Sequence, residues 1–285
     1  MKAVRTICCL ILLSLVPVCQ AAAAPIGPGN QRYRVDLRGQ PIEVFTFRPA
    51  CPIQGILLVF HGLHRGVENY RDAARPLATQ LCMIVVAPLF DEERFPGWRY
   101  QRGGIVHRHA LQDPQAWTGS LVLQLVSWVR QQENRPLPYS MIGHSAGGQF
   151  LSRLAAFTPT KATRIVVANP SSYVFANLRI KAPFGMGGVY PRHRAEAELR
   201  RYLQTPVTIF LGKDDVGDKD RDESAGARAQ GETRLARGLN AYYSARALAR
   251  SAGWPFNWRL VRVARVGHSA RKMLGSKRAV EALSP

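Results

Sequence analysis

Two unbroken apolar runs constrain the fold of this chain more than any other feature. Gly55–Phe60 reads GILLVF and Met83–Ala87 reads MIVVA, without the polar alternation of a strand that faces water on one side. Strands buried on both faces of a parallel sheet have this composition, because helices cover both sides of such a sheet. Three shorter runs repeat the pattern at Tyr139–Ile142, Arg164–Ala168 and Val207–Leu211. The chain is therefore predicted to carry a central sheet that is mostly parallel.

Stretches with helical periodicity separate these runs. They are Glu68–Gln80, Trp117–Gln131, Ala146–Phe157, Arg194–Leu203, Arg234–Ser251 and Ala270–Ala282. This alternation of strand and helix is typical of an α/β protein with helices on both faces of the sheet. Upstream, Arg32–Asp36 and Ile42–Phe47 alternate apolar and polar residues and predict an antiparallel hairpin, and a last strand is predicted at Trp258–Val263. No linker rich in Pro, Gly or Ser divides the chain, so a single domain is predicted over residues 25–285.

The N-terminus has the features of a secretory signal peptide over residues 1–24. Lys2 and Arg5 precede a short apolar stretch, and Ala21–Ala24 offers the small residues at which such signals are cut, so cleavage is expected within 21–24. The apolar stretch is too short for a comfortable membrane span. We therefore expect a secreted or periplasmic protein with no stable membrane insertion after the signal is removed.

Two cysteines, Cys51 and Cys82, remain after the predicted cleavage. Each precedes one of the first two predicted parallel strands. If those strands are neighbours, both thiols lie at the same edge of the sheet, within reach of a bridge. An oxidising compartment favours a Cys51–Cys82 disulfide, and two buried free thiols are the alternative.

The chain is strongly basic, with 39 Lys and Arg against 19 Asp and Glu, a net charge of +20 over 285 residues. Such an excess attracts polyanions and anionic surfaces. The basic residues are scattered and form no recognisable nucleic-acid module, so no nucleic-acid partner is expected. We interpret the charge mainly as an Arg-rich composition that favours solubility, with weak binding to anionic surfaces as the alternative.

The clearest chemical signal is Gly143-His144-Ser145-Ala146-Gly147. It matches G-x-S-x-G between a predicted strand and a predicted helix, the context in which a nucleophilic serine stands on a sharp turn. The helix N-terminus brings backbone N–H groups and a positive dipole end beside the hydroxyl. A chance match in a Gly-rich chain is the alternative, and the strand–helix context argues against it.

A serine nucleophile needs a base and an acid that orients the base. With this motif the chain order is Ser, acid, His. Of the two histidines after Ser145, His193 lies between arginines at a helix start, whereas His268 follows the last predicted strand. His268 is therefore the predicted base. Asp214 and Asp215 both follow the preceding strand, and either is placed to orient it.

The reaction also needs backbone donors for the developing oxyanion. One is expected from Ala146, the residue after the nucleophile, and the other from the loop after the first parallel strand. In that loop, Phe60-His61-Gly62-Leu63, we assign the donor to Leu63. A plain turn between strand and loop is the alternative for this segment.

Together these residues resemble the α/β-hydrolase superfamily from about Arg32 to the C-terminus. Within it, the chain resembles secreted bacterial esterases related to polyhydroxyalkanoate depolymerases. The shared segments are His61–Asp72, Phe90–Gly97, Gly143–Phe150, Ala168–Tyr173, Gln230–Gly238 and Gly267–His268. The resemblance implies the α/β-hydrolase fold and a serine esterase that needs no metal and no organic cofactor.

The resemblance also distinguishes between the two candidate acids. In these hydrolases the orienting acid commonly stands three residues after the Gly that ends its strand, here Gly212, which implies Asp215. Adjacent side chains in an extended segment point in opposite directions, so only one of Asp214 and Asp215 can face Ser145.

Two long irregular segments, Pro88–Gln115 and Asn169–Arg192, follow strand ends, where α/β sheets bind ligands. We expect Trp98 in the first and Tyr173 in the second to bind substrate, together with His61. Aromatic side chains in these segments either line an acyl pocket or anchor the loops to the body of the protein.

Two weaker patterns are not interpreted as metal sites. Asp218–Asp222 resembles the start of a calcium loop, but it lacks the Gly and the final Glu that such a loop requires. His107 and His109 have no Cys or acidic partner at ligand spacing.

The predicted activity is hydrolysis of carboxylic esters through an acyl-enzyme, with small or oligomeric esters, polyesters or hydroxyalkanoate esters among the substrates. The resemblance implies esters, whereas the triad alone does not decide between esters and amides. An acyltransferase would differ only in using an alcohol instead of water. The alternative from another class is a catalytically inactive hydrolase-fold protein that binds an anionic envelope polymer through its basic surface. The presence of all catalytic parts in the required order argues against it.

Overall fold

A computed structural model describes residues 24–284, and the predicted signal peptide, apart from Ala24, lies outside them. The strands in this part of the chain are β1 Gly29–Leu37, β2 Gln40–Arg48, β3 Gly55–Phe60, β4 Met83–Pro88, β5 Val106–His107, β6 Ala110–Leu111, β7 Tyr139–His144, β8 Arg164–Ala168, β9 Val207–Gly212 and β10 Arg259–Val263. The α-helices are α1 Val67–Leu81, α2 Thr118–Glu133, α3 Ala146–Phe157, α4 Arg192–Gln204, α5 Ala225–Arg228, α6 Arg234–Ala252, α7 Ala270–Leu274 and α8 Lys277–Leu283.

Eight strands form one sheet in the order β1-β2-β4-β3-β7-β8-β9-β10. The β1–β2 hairpin and the β2–β4 pair are antiparallel, and every other neighbouring pair is parallel. This is the α/β-hydrolase architecture predicted from the sequence, with a mostly parallel sheet and an antiparallel N-terminal hairpin. The carboxyl ends of β3, β7, β8, β9 and β10 consequently meet at one edge of the sheet.

Two apolar layers cover the sheet because successive side chains of each buried strand point to opposite faces. In β3, Ile56 and Leu58 pack on the face covered by α2, α3, α4 and α6, whereas Leu57 and Val59 pack on the face covered by α1, α7 and α8. All six residues of β3 are buried, which explains the uninterrupted apolar run in the sequence. Helices thus lie on both faces, as predicted.

Two predicted elements differ from the structure. The single helix expected over Ala270–Ala282 is two short helices, α7 and α8. Gly275 ends the first because glycine is a poor helix former, and Ser276 precedes the second as its N-cap residue. The irregular segment after β4 contains the small β5–β6 hairpin, which the sequence analysis did not predict.

Cys51 and Cys82 form the predicted disulfide, with 5.8 Å between their Cα atoms. The bridge lies at the amino edge of the parallel strands, where Gly55 of β3 is in register with Met83 of β4. The nearby backbone is also tied, because the Gln54 N–H donates to the Cys82 carbonyl at 2.8 Å. No helix within residues 24–284 is long and apolar enough to cross a membrane.

Candidate active site

Ser145 stands on the turn between β7 and α3 in a strained backbone conformation, with φ 58° and ψ −118°. Two glycines make the turn possible. A Cβ on Gly143 would lie 2.4 Å from the Gly147 carbonyl oxygen, and one on Gly147 would lie 2.3 Å from that of Phe60. Strain of this kind costs about 1–3 kcal/mol and persists only where the surroundings enforce it. The Ser145 N–H helps to hold the turn by donating to the Ala168 carbonyl at 3.0 Å.

Loops that follow the two last strands bring an imidazole and a carboxylate to Ser145. His268 Nδ1 lies 2.8 Å from Asp215 Oδ2, and His268 Nε2 lies 3.0 Å from Ser145 Oγ. A carboxylate can only accept, so Nδ1 carries the proton and Nε2 is free to accept from the serine hydroxyl. The arrangement is that of a nucleophile, a base and an orienting acid.

The structure brings Asp215, and not Asp214, into contact with His268. The Asp215 side chain is 1% exposed, whereas Asp214 is exposed to solvent. The segment is fixed by backbone bonds, with the Asp214 N–H donating to Val266 and the Asp215 N–H to Gly212. Adjacent side chains therefore face opposite ways, as the sequence analysis expected.

Arg234, at the start of α6, lies behind the carboxylate and was missed by the sequence analysis. Its Nη1 lies 3.6 Å from Asp215 Oδ1, and its side chain is 1% exposed. The same guanidinium donates to the carbonyls of Gly217 and Lys219, so it also fixes the loop that follows Asp215. Burial lowers the pKa of Arg234, and the nearby Asp215 carboxylate opposes that shift. A signal was available, because Arg234 lies in Gln230–Gly238, one of the segments that carry the resemblance.

The two expected oxyanion donors lie on either side of the serine. Within residues 24–284, neither the Leu63 N–H nor the Ala146 N–H donates to another group. Ala146 is the first residue of α3, where backbone N–H groups have no partner inside the helix. Leu63 lies at the wall of the cavity that contains Ser145. Both amides are thus available to an incoming carbonyl oxygen.

The cavity at Ser145 has a volume of about 530 Å³. Its lining includes Gly62, Leu63, Tyr70, His144, Ser145 and His268. A second cavity of about 370 Å³ adjoins it and shares Leu63 and Asp220 with it. A third cavity of about 500 Å³ shares Asn69, Tyr70 and Ala270 with the first. The candidate site is therefore a cleft with several parts, and the nucleophile lies in the first cavity.

Of the three residues expected to bind substrate, the structure places only Trp98 at the cleft. Trp98 lines the second cavity and stacks on His107, with 4.1 Å between ring centroids. His61 is fully buried; its Nε2 accepts from the Phe90 N–H at 3.1 Å, and burial lowers its pKa to about 4. Tyr173 is 1% exposed, and its backbone is bonded on both sides to the Gln230 amide. His61 and Tyr173 thus anchor the loops around the cleft and do not reach its wall.

His144, the residue before the serine, contacts the imidazole of His268. The two ring centroids are 4.6 Å apart, and His144 Nδ1 lies 3.4 Å from the Tyr70 hydroxyl. Burial holds the pKa of His144 well below its usual range. A neutral ring therefore packs against the base, which the sequence pattern alone did not indicate.

The acidic segment after β9 is tied to the walls of the cleft. Asp220 Oδ2 lies 3.2 Å from His64 Nε2, and Asp222 Oδ2 lies 3.6 Å from Arg102 Nη2. Across residues 24–284, no group of three or more His, Cys, Asp or Glu side chains is arranged to hold a metal ion.

Two solved structures are similar to this chain over nearly their whole length. One is poly(aspartic acid) hydrolase-1 from Sphingomonas sp. KT-1, with a TM-score of 0.83, 29% identity and coverage of 90% of this chain and 99% of the other. The second is LpqC, a poly(3-hydroxybutyrate) depolymerase from Bordetella parapertussis, with a TM-score of 0.81, 28% identity and coverage of 90% and 96%. A third, the S-formylglutathione hydrolase FrmB from Staphylococcus aureus, shares only the fold, at 14% identity, a TM-score of 0.51 and coverage of 89% and 97%. No protein-family model and no curated protein matches the sequence.

Proposed function

We propose that this chain, an α/β-hydrolase that resembles depolymerase-like esterases, hydrolyses carboxylic esters through an acyl-enzyme on Ser145. The observation that carries the proposal is the continuous chain of hydrogen bonds from Asp215 through His268 to Ser145 at the wall of an open cavity. The likeness to a polyester depolymerase supports ester linkages as the substrate class. Oligomeric and hydroxyalkanoate esters are the substrates we favour.

The reaction begins when His268 Nε2 takes the proton of the Ser145 hydroxyl while Oγ attacks the ester carbonyl. The carbonyl electron pair moves onto oxygen, which the N–H groups of Leu63 and Ala146 stabilise. The C–O bond to the alcohol then breaks, and the imidazolium of His268 protonates the leaving oxygen. Asp215 holds the ring in the required tautomer and stabilises its positive charge.

Deacylation repeats these steps with water in place of the serine. His268 removes a proton from water, the hydroxide attacks the acyl carbon, and the Ser145 oxygen leaves with the proton that the imidazolium returns. The products are a carboxylic acid and an enzyme in its starting protonation state.

Two features together support the proposed compartment. The disulfide between Cys51 and Cys82 is of a kind that persists in oxidising environments. With the signal-like N-terminus, it supports a secreted or periplasmic enzyme whose mature part is the single domain over residues 25–285.

The test is a p-nitrophenyl butyrate assay on the wild-type protein and on Ser145→Ala. We expect turnover by the wild type and its loss in the variant. Ser251→Ala, at an exposed position in the last turn of α6, is the matched control and is expected to keep wild-type turnover. Equal hydrolysis by Ser145→Ala would contradict the proposed nucleophile, and no hydrolysis by any of the three would favour the inactive binding protein.

A further inference from the structure

Gln149 is a buried amide at the wall of the second cavity, and the proposed reaction gives it no role. It stands on α3 one helical turn after Ser145 and is 5% exposed. The second cavity shares Leu63 with the larger one, so it begins where the proposed oxyanion donor stands. A group bound there would lie next to the scissile carbonyl.

A chain of side-chain hydrogen bonds fixes which end of the Gln149 amide meets the cavity. Arg153 Nη2 lies 3.0 Å from Ser172 Oγ, and Ser172 Oγ lies 2.9 Å from Gln149 Oε1. A guanidinium only donates, so the serine oxygen accepts from Arg153 and its own proton goes to Gln149 Oε1. The amide oxygen is thereby committed, and Nε2 has no acceptor within residues 24–284. The Nε2 amino group therefore remains as a donor for a ligand in the cavity.

Arg153 sets this polarity because a guanidinium carries donors and no acceptor. It is 0% exposed, and it donates to the carbonyls of Gln149 and Ser172 in addition to the Ser172 hydroxyl. The positive charge strengthens each bond that it donates. The orientation of the Gln149 amide is thus fixed by a relay of hydrogen bonds that runs from the charged Arg153 through Ser172 to Gln149.

The other groups of the second cavity decide the charge of its ligand. Asp220 and Asp222 line it together with Arg102 and Arg221, and Arg102 Nη2 lies 3.6 Å from Asp222 Oδ2. Two carboxylates and two guanidinium groups leave this lining with no excess charge that would select an ionic ligand. An uncharged acceptor suits such a lining and meets the donor of Gln149.

The position of His268 decides which half of an ester would lie there. His268 lines the first cavity but not the second, and in the proposed reaction it protonates the leaving alcohol. The alcohol therefore belongs to the first cavity. The acyl chain extends from the carbonyl held near Leu63, which lines the second cavity and not the third, so we assign the acyl chain to the second.

We propose that the second cavity is an acyl subsite in which the Gln149 amide donates a hydrogen bond to an uncharged acceptor on the acyl group. The substrate class is esters whose acyl part carries a further carbonyl oxygen, as the units of an oligoester do. This inference rests on the proposed function, because it assigns one side of the cleft to the acyl group.

The experiment compares two p-nitrophenyl esters of equal chain length, the 4-oxopentanoate and the pentanoate, after subtraction of spontaneous hydrolysis. For the wild type we expect kcat/KM to be about tenfold higher for the 4-oxopentanoate, the effect of one good hydrogen bond. In Gln149→Met, which keeps the length of the side chain, we expect the ratio to fall to about one. In Gln149→Glu, which can still accept from Ser172, we expect it to fall below one because a carboxylate replaces the donor. Gln131→Met, at an exposed position on α2, is the control that retains the wild-type ratio.

Thermal unfolding of each variant shows whether it is folded. If Gln149→Met does not fold, the ratio measured for Gln149→Glu still decides the test. The proposed subsite is contradicted if the ratio of the two kcat/KM values is near one in the wild type, or if both Gln149 variants keep the wild-type ratio. Either result leaves the proposed esterase activity unaffected. Absence of Ser145-dependent hydrolysis of both esters would instead overturn the proposed function, and the subsite with it.

Discussion

The two edges of the parallel sheet differ in how their features affect the stability of the fold. At the carboxyl edge, Ser145 has a strained backbone, and His61 and His144 are buried as neutral rings. At the amino edge, a disulfide joins Cys51 to Cys82 across the starts of two adjacent strands. One edge thus concentrates features that lower stability, and the other a cross-link that raises it.

The difference shows that the features that lower the free energy of unfolding lie near the cleft. Strain and buried polar groups cluster where ligands and catalysts must be positioned. A covalent link at the far edge contributes stability without touching the cleft. Substitutions at the carboxyl edge should therefore change turnover more than stability, and substitutions at the amino edge should do the reverse.

The largest effect is expected from Ser145→Gly, which should separate activity from stability in a single change. Turnover should fall by a factor on the order of 10⁶, as expected for loss of a nucleophile. The free energy of unfolding should rise by about 1 kcal/mol, because glycine adopts φ 58° without strain. Chemical denaturation and ester hydrolysis measure the two quantities.

Ser145→Ala is the control for that change. It removes the same hydroxyl but keeps a Cβ, so it should lose activity without the gain in stability. If both variants unfold at the same denaturant concentration as the wild type, the turn stores no strain.

The next effect concerns the two adjacent acids of the carboxyl edge. Asp215→Asn should lower kcat by about 10⁴, because the amide favours the wrong tautomer of His268. Asp214→Asn, at the exposed neighbour, should change it by less than tenfold. Steady-state kinetics on folded variants measure both, and a crippled Asp214→Asn beside a nearly normal Asp215→Asn would reverse the assignment.

The amino edge is tested by replacing Cys51 and Cys82 together with alanine. The disulfide closes a loop with a sequence separation of 31, for which loop entropy implies about 3–4 kcal/mol of stability. The double variant should lose that amount in denaturant unfolding, yet keep wild-type turnover at temperatures where it is folded. Reduced wild-type protein should behave like the variant, and a variant as stable as the oxidised wild type would show that the bridge contributes nothing.

The smallest effect is a loss of stability in mild acid from the buried ring of His61. Its pKa is about 4 in the folded protein against about 6.5 in the unfolded chain, so only the unfolded chain takes up this proton between those values. The contribution of His61 is complete above about pH 6.5 and is lost as pH falls towards 4. Between pH 7 and 5 the free energy of unfolding should fall by about 2 kcal/mol from this group.

His61→Gln, which can still accept from the Phe90 N–H, is the comparison for this effect. The variant should show a pH dependence that is weaker by the same amount. An unchanged dependence between pH 7 and 5 would assign the acid sensitivity to other groups.

The sequence was sufficient wherever local pattern and topology decide the outcome. Apolar runs located the parallel strands, and the ends of those strands placed Ser145, His268 and the Asp214–Asp215 pair at one edge of the sheet. The choice of Asp215 within that pair came from the resemblance. The positions of Cys51 and Cys82 before two predicted strands indicated their pairing on the condition that those strands are neighbours, which the structure shows them to be.

The side-chain contacts that could not be predicted from the sequence depend on the path of the loops and join residues far apart in the chain. Arg234 reaches Asp215 only because the loop after β9 folds back over α6. The relay from Arg153 to Gln149 passes through Ser172, which lies in the irregular segment after β8. His61 looked like a substrate contact from its place in the chain, but the packing of Phe90 and Tyr100 against it leaves it no access to the cleft.

The central claim, that Ser145 is a nucleophile activated by His268 and Asp215, is tested most directly by covalent labelling. The wild type is treated with a fluorophosphonate, and the adduct is located by intact-mass and peptide mass spectrometry. We expect one adduct, on Ser145, that is absent in Ser145→Ala and forms much more slowly in Asp215→Asn than in Asp214→Asn. No adduct on the folded wild type, or an adduct on another residue, would contradict the claim.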